Sequence, residues 1–455
     1  MIISPKAALT FASLAIVLAS SPLAAQDVER MQEVIEQEAN SGVFMGSVLV
    51  AKDGQVLLDD GWGMADLEWS IENTPLTKFR IGSVTKQFTA VAILLLQEEG
   101  KLDLDDPIGD HLAPAPEAWN GITIRHLLQH TSGIPNVTAL DDFGTFKFLP
   151  TTQEELIGKF DQLPLEFEPG SQWKYSNSGY VLLSAIVAKV SERPYADFIK
   201  AELLDPLDMK ETGIDSSATI LPKRAAGYSP IQDGVINAEY VNMDIPTGAG
   251  ALYSTTGDLL KWQRGLFGGK VISAESLAEY VAPGAYDAFG NDKYGLGILI
   301  EDDEDGKAYW HGGGIEGFNS WLGYDPENKV TVAVLANLNG GTASKLGQGL
   351  MTIARGDDIV LPNEREETPV SDVDLAQYEG VYALAPTFKI TIFQDDEKLM
   401  AQATGQPAFE IFQESPDNFF LKVVDAQIRF ERDDADAITS LTLFQNGAET
   451  PGIKE

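Results

Sequence analysis

The 455-residue sequence contains no cysteine. That excludes disulfides, thiol catalysis, cysteine-bound metals and a lipid-modified N-terminal cysteine, and it leaves the fold to rest on its core alone. Histidine is scarce, with four in the chain, and there is no H-E-x-x-H run, so a zinc peptidase is not expected. A G-x-S-x-G elbow is also missing, which sets aside an ordinary α/β-hydrolase. Positive charge is thin: the net charge is -37 and no basic stretch occurs, which argues against nucleic acid and anionic membrane surfaces as partners. Beyond the first 25 residues, no apolar run reaches transmembrane length.

What is present is the balance of a soluble globular protein, 44% hydrophobic and 22% charged, with length enough for two domains. Lys6, an apolar run from Ala7 to Leu18 and the small residues up to Ala25 read as a cleavable secretory signal, so the mature protein is expected to be periplasmic or secreted. Asp27 to Asn40 has helical spacing. Two strands flanking Lys52-Asp53-Gly54 form a hairpin with an Asp-Gly turn. Strands recur at Phe318 to Tyr324 and Lys329 to Leu338, with helices between, which implies an antiparallel sheet packed by helices. Residues 357–367 lapse into a polar linker. Seven short runs follow, from Val381 to Phe444, separated by Asp-, Gly- and Pro-rich turns, and read as a small all-β sheet or barrel.

Chemistry gathers around Ser83-Val84-Thr85-Lys86, which opens the apolar helix Thr89 to Gly100. Serine and lysine one turn apart share a helix face, and a serine at a helix start gains polarity from the unpaired N–H groups there. A capping serine and a snorkelling lysine would give the same spacing. Ser171-Gln172-Trp173-Lys174 has that spacing too, but it follows a Glu-Pro-Gly turn and opens no long apolar helix. Tyr175-Ser176-Asn177 precedes a strongly apolar helix, Val181 to Val190; Tyr240-Val241-Asn242 has the same form without that context. His126 and His130 have the i, i+4 spacing of a metal pair but read as structural, capping a helix end before Gly133. Thr247-Gly248-Ala249-Gly250-Ala251 reads as a Gly-rich turn packed close to its neighbours, entering a helix from Ser254 to Leu266.

In this order, Ser83-x-x-Lys86, Tyr175-x-Asn177 and His311-Gly312-Gly313 resemble the motifs of the penicillin-binding, serine β-lactamase-like superfamily. The nearest branch is that of class C β-lactamases, D-alanyl-D-alanine carboxypeptidases, D-aminopeptidases and related esterases. The resemblance spans roughly Met45 to Leu338, and the tail from Val373 resembles lipocalin-like β-domains. It implies an α+β fold, an antiparallel sheet flanked by helices plus an all-helical region, followed by the small β-domain. The expected domains are a signal peptide at 1–25, a hydrolase domain at 26–360, a linker at 361–372 and the β-domain at 373–455.

The resemblance also implies the roles. Ser83 is the nucleophile, acylated in the reaction, with Lys86 and Tyr175 as a coupled pair that moves its proton. Asn177 contacts the substrate amide and steadies Lys86. The N–H groups of Ser83 and Gly314 form the oxyanion hole, and His311 and Gly313 complete the substrate-binding edge. His311 and Gly312 stand where many members carry Lys and Thr. Losing a fixed cation and a hydroxyl there weakens recognition of an anionic substrate end. The expected activity is therefore hydrolysis of small amides or esters, D-amino-acid peptides or short-chain esters foremost. The alternatives are β-lactam or carboxypeptidase action, or a cell-wall sensor that acylates without turnover. The partner is a small molecule or short peptide, cell-wall peptides included, with no cofactor.

Overall fold

The computed structural model describes residues 22–455 except 113, 233, 291, 304–305, 362–363, 369–374, 397, 424–425, 434 and 446–447. The expected signal peptide thus lies outside the described residues but for its last four, as does much of the expected linker. All statements below concern the described residues.

Helix α1 (Pro22–Asn40) leads into strands β1 (Gly46–Lys52) and β2 (Gln55–Trp62). The hairpin between them turns on Asp53 and Gly54, both at positive φ (49° and 78°), as a two-residue Asp-Gly loop requires. Helices α2 (Thr85–Glu98), α3 (Ile124–Leu128), α4 (Asn177–Ser191) and α5 (Thr256–Phe267) follow with their connections. Strands β3 (Lys293–Tyr294), β4 (Leu299–Asp303), β5 (Gly306–Ile315), β6 (Phe318–Asp325) and β7 (Val330–Ala336) then precede α6 (Thr342–Arg355). One seven-stranded sheet results, in the order β3-β4-β5-β6-β7-β1-β2, with every pair antiparallel. The first and last strands of this sheet in sequence pair with each other, one strand in from the β2 edge, where Val48 meets Val334.

The central strands are apolar on both faces because both are covered. Val48 and Val50, with Val332 and Val334, pack beneath α1 and α6 against Ile35, Leu346 and Leu350. The alternate residues Leu49, Ala333 and Leu335 join the larger core formed by α2, α4 and α5. This is the two-residue period of a strand expressed as two cores. Helix α2 is buried in the larger core from Thr85 to Leu94, with Phe88 stacked on Trp262 at 4.0 Å between ring centroids. Two of its buried polar side chains are bonded across the core: Trp262 Nε1 donates to Gln87 Oε1 and Thr89 Oγ1 to the Gly248 carbonyl.

Two expectations shift. The helix after the Gly-rich turn starts at Thr256, capped by the Thr255 hydroxyl. Leu252–Ser254 is instead a short strand paired with Phe79–Arg80, immediately ahead of Ser83. The turn itself is close-packed, since a β-carbon on Gly248 would stand 2.8 Å from the Tyr180 carbonyl.

The tail is a closed barrel of eight strands, each paired with the next in sequence: β8 (Gly380–Ala385), β9 (Phe388–Asp395), β10 (Lys398–Ala403), β11 (Ala408–Ser415), β12 (Asn418–Leu421), β13 (Ala426–Arg432), β14 (Ile438–Gln445) and β15 (Ala448–Lys454). Closure removes the free edges that an open sheet would expose. Its interior is filled by Tyr378, Tyr382, Phe419 and Phe430 among aliphatic neighbours.

Candidate active site

A single turn of 3-10 helix, Gly82–Val84, delivers Ser83 to the mouth of α2. Gly82 stands at φ 48°, and a β-carbon there would lie 2.8 Å from the Gly314 nitrogen. Glycine is therefore needed twice over, for the left-handed backbone and for the approach of β5. Gly313 meets the same turn from the other side: its β-carbon would stand 2.1 Å from the Ile81 carbonyl oxygen. Ser320 Oγ donates to that carbonyl at 2.8 Å and pins the two segments together. Backbone against backbone, the N–H groups of Ser83 and Gly314 come to border one cavity.

Lys86 has no exposed surface. Its Nζ stands 3.1 Å from Ser83 Oγ, 2.8 Å from Asn177 Oδ1 and 2.9 Å from the Ala249 carbonyl oxygen. None of these partners carries a negative charge. Burial therefore drives the ammonium well below the ordinary lysine range. A neutral amine fits the three contacts: two N–H bonds go to the two carbonyl oxygens, and the lone pair faces the serine hydroxyl. Tyr175 also reaches Ser83, its hydroxyl 2.8 Å from Oγ and its ring centroid 4.8 Å from Lys86 Nζ. Its ring is packed against His130, Trp173 and Phe289, and burial raises the phenol far above its usual range, so it keeps its proton. The three groups form a chain in which the phenol donates to the serine oxygen and the serine hydroxyl faces the amine.

Asn177, the first residue of α4, is held by both ends of its amide, with Nδ2 donating to Thr138 Oγ1 at 3.1 Å. Its own N–H donates to Asn136 Oδ1. Ser83, Lys86, Tyr175 and Asn177 thus converge from segments 92 residues apart, and Gly313 and Gly314 join them.

His311 does not reach the cavity as a substrate-binding group. It is 3% exposed, with Nδ1–H donating to the Gly312 carbonyl and Nε2 accepting from the Tyr294 hydroxyl at 3.0 Å. Burial, reinforced by nearby Lys86, pushes its pKa down to about 3. It is an uncharged imidazole behind Tyr175, 6.4 Å from that ring, and helps wall it in. The expectation about Gly312 changes as well. A β-carbon there would point towards Ser344 and Trp310, both at 3.7 Å or more, on the α6 side of the sheet. A hydroxyl at 312 would not face substrate, because strand alternation turns it away.

The remaining motifs separate cleanly. Ser171 donates to the Glu168 carbonyl and Lys174 pairs with Glu166, both at the surface. Tyr240 is half exposed and bonds Ser217. His126 caps the start of α3, its Nδ1 accepting from Thr123 N–H, not the helix end. His130 lies past that helix at φ 59°, accepts from Ser176 N–H and supports the Tyr175 ring at 4.3 Å, so the two histidines share no helix face. Sequence reasoning missed the Ala249 carbonyl that orients Lys86; its signal was the run of small residues read only as packing. It also missed Glu316, which follows the Gly-rich strand end and lines the cavity.

The cavity has a volume of about 310 Å³ and is walled by Val137, Phe143, Val181, Val241 and Ile245, with Ser83 and Asn177 at its base.

Residues 29–350 match the family model described as Beta-lactamase, and residues 364–451 match the Domain of unknown function DUF3471. The protein flp of Staphylococcus aureus (strain MW2) is 28% identical over 379 residues, covering 80% of this chain and 72% of that protein. Among solved structures, the octameric penicillin-binding protein homologue from Pyrococcus abyssi aligns with a TM-score of 0.67 at 27% identity, covering 94% of this chain and all of that one. The D-amino acid amidase from Ochrobactrum anthropi SV3 aligns with a TM-score of 0.63 at 25% identity, over 73% of this chain and 98% of the amidase. With a buried amine and a phenol flanking one serine, and with the family model spanning most of its length, the chain belongs to the Beta-lactamase family of penicillin-binding-protein-like serine hydrolases.

Proposed function

We propose that the chain is a secreted amidase and esterase that acts on small acyl substrates, amino-acid amides and short D-amino-acid peptides foremost, through an acyl-enzyme on Ser83. The observation that carries this reading is Lys86 Nζ, wholly buried without an acidic partner and 3.1 Å from Ser83 Oγ. Ser83 Oγ attacks the substrate carbonyl and its proton passes to Lys86 Nζ. The oxygen of the tetrahedral intermediate settles between the N–H groups of Ser83 and Gly314; one such donor is typically worth about 3 to 4 kcal/mol at the transition state. Tyr175, protonated and 2.8 Å from Oγ, gives its proton to the departing nitrogen or oxygen and regains one from Lys86. Water then attacks the ester at Ser83 by the same proton path in reverse.

The D-amino acid amidase neighbour supports amide substrates. The third motif argues against the β-lactam and carboxypeptidase alternatives, which need a cation for a carboxylate on the leaving-group side: His311, near Tyr175, is buried and its pKa is held down to about 3, so it offers no fixed positive charge there. Secretion or a periplasmic location is proposed from the sequence pattern of residues 1–25 alone.

The test is to incubate the protein with a D-alanine anilide, a short-chain nitrophenyl ester and a chromogenic cephalosporin while following the mass of the Ser83 peptide. Turnover of the anilide or ester with transient acylation is expected, and Ser83→Ala should lose both. Stable acylation without turnover supports the sensor reading instead. Identical behaviour of wild type and Ser83→Ala removes the nucleophile.

A further inference from the structure

We propose that Glu316 selects substrates whose acyl half carries a positively charged amine. This rests on the hydrolase reading and deepens it, since it names what the acyl pocket accepts. The leaving group must lie beside the proton donor Tyr175, so the acyl substituent falls on the other side of Ser83, into the cavity between Asn177 and Gly314. Glu316 lines that cavity two residues beyond Gly314, about 7 Å along an extended chain from the oxyanion hole. Glu316 thus shares the space that an acyl substituent on Ser83 would enter. It is the one ionisable side chain among the residues that line the cavity, whose other side chains are apolar or, as at Thr138 and Asn177, polar and uncharged.

Glu316 is also held. Lys147 Nζ stands 2.9 Å from its Oε1 and pairs at the same time with Glu239. Two carboxylates facing one ammonium leave a net negative charge at the cavity edge. The Glu316 side chain keeps 23% of its surface exposed, against 11% for Lys147, so the acid and not the lysine is the partner open to a ligand. Lys147 is fixed from behind, where its carbonyl accepts from Asn242 N–H. A carboxylate fixed in an apolar pocket favours an ammonium and repels an acidic acyl group, and truncating it leaves a bound ammonium unpaired.

A bare strut between the 142–147 segment and the β5–β6 turn would show the same ion pair but no dependence on ligand charge. The experiment therefore varies the ligand. D-phenylalaninamide and N-acetyl-D-phenylalaninamide are titrated calorimetrically into the Ser83→Ala protein and into Ser83→Ala/Glu316→Gln, with nitrophenyl acetate turnover measured on the protein that retains Ser83. The expected result is a loss of affinity on the order of tenfold for the free amine in the double variant, and no change for the acetylated amide. Equal weakening of both ligands, no weakening of either, or no binding of either to the Ser83→Ala protein overturns the inference. Amine-selective binding without Ser83-dependent ester turnover upholds it and overturns the hydrolase reading; ester turnover without charge selectivity does the reverse.

Discussion

A lysine with no exposed surface and three uncharged partners is the most costly residue in this site and the most useful one. Its folded-state pKa lies below the unfolded value of about 10.4, so between the two the native protein binds fewer protons than the unfolded chain. Stability contributed at this position is complete above the unfolded pKa and is lost as pH falls towards the folded one. Lys86→Met removes that loss. The stability of wild type relative to Lys86→Met, read from urea midpoints, should therefore decline from pH 9 to pH 6. Activity moves the other way, with kcat/KM of the variant down by roughly 10²- to 10⁴-fold as expected for a missing general base. Wild-type kcat/KM should rise with pH through the Lys86 pKa, because the unprotonated amine is the active form. At this scale the sequence was informative where spacing is short: Ser83 and Lys86 are one helical turn apart, so their meeting follows from helix geometry. His311 was less legible: strand alternation puts it on the same side of β5 as Gly313, and only the packed sheet shows its imidazole taken up by Tyr294 and the Gly312 carbonyl.

Strand β5 and the turn before α2 touch through their backbones, and that contact sets where Gly314 stands relative to Ser83, the pair proposed above to hold the oxyanion. Two neighbouring glycines in β5 give opposite expectations. Gly313→Ala drives a methyl group into the Ile81 carbonyl at 2.1 Å and must displace the strand end that carries Gly314. A shift near 1 Å there should cost about 100-fold in kcat/KM. Gly312→Ala meets nothing nearer than 3.7 Å and should leave the rate within about twofold. Steady-state kinetics with one ester on both variants, with circular dichroism to confirm folding, separates them. The sheet hairpins, α2 and the all-β tail were readable from period and turn chemistry. The last barrel strand was not: Ala448–Lys454 contains Pro451 and Gly452, residues that argue against a strand in isolation. Proline is tolerated because only Ile453 and Lys454 of β15 pair with β8, leaving Pro451 opposite Thr442 alone.

For the whole molecule, the net charge of -37 sets a field that acts before any contact forms. An amine-bearing substrate approaches with that field and an N-acetylated one does not feel it. With increasing ionic strength, kcat/KM for the free amine should fall several-fold between about 10 mM and 500 mM salt, while the acetylated analogue stays level. A stopped assay across that range measures both. Catalytic layer and barrel also share a boundary: the loop at 338–342 lines a crevice with Lys422, Val423 and Gln445 of the barrel, and its Asn339 side chain holds the Ile315 carbonyl and the Gly317 N–H beside Glu316. The ring of eight strands is fastened by the two residue pairs Tyr382–Lys454 and Ala383–Ile453. Such a clasp is where a protease would open the hoop with one cut: a nick just ahead of Ile453 detaches the two residues that reach β8, whereas a nick in a turn between strands leaves every ladder of the ring in place.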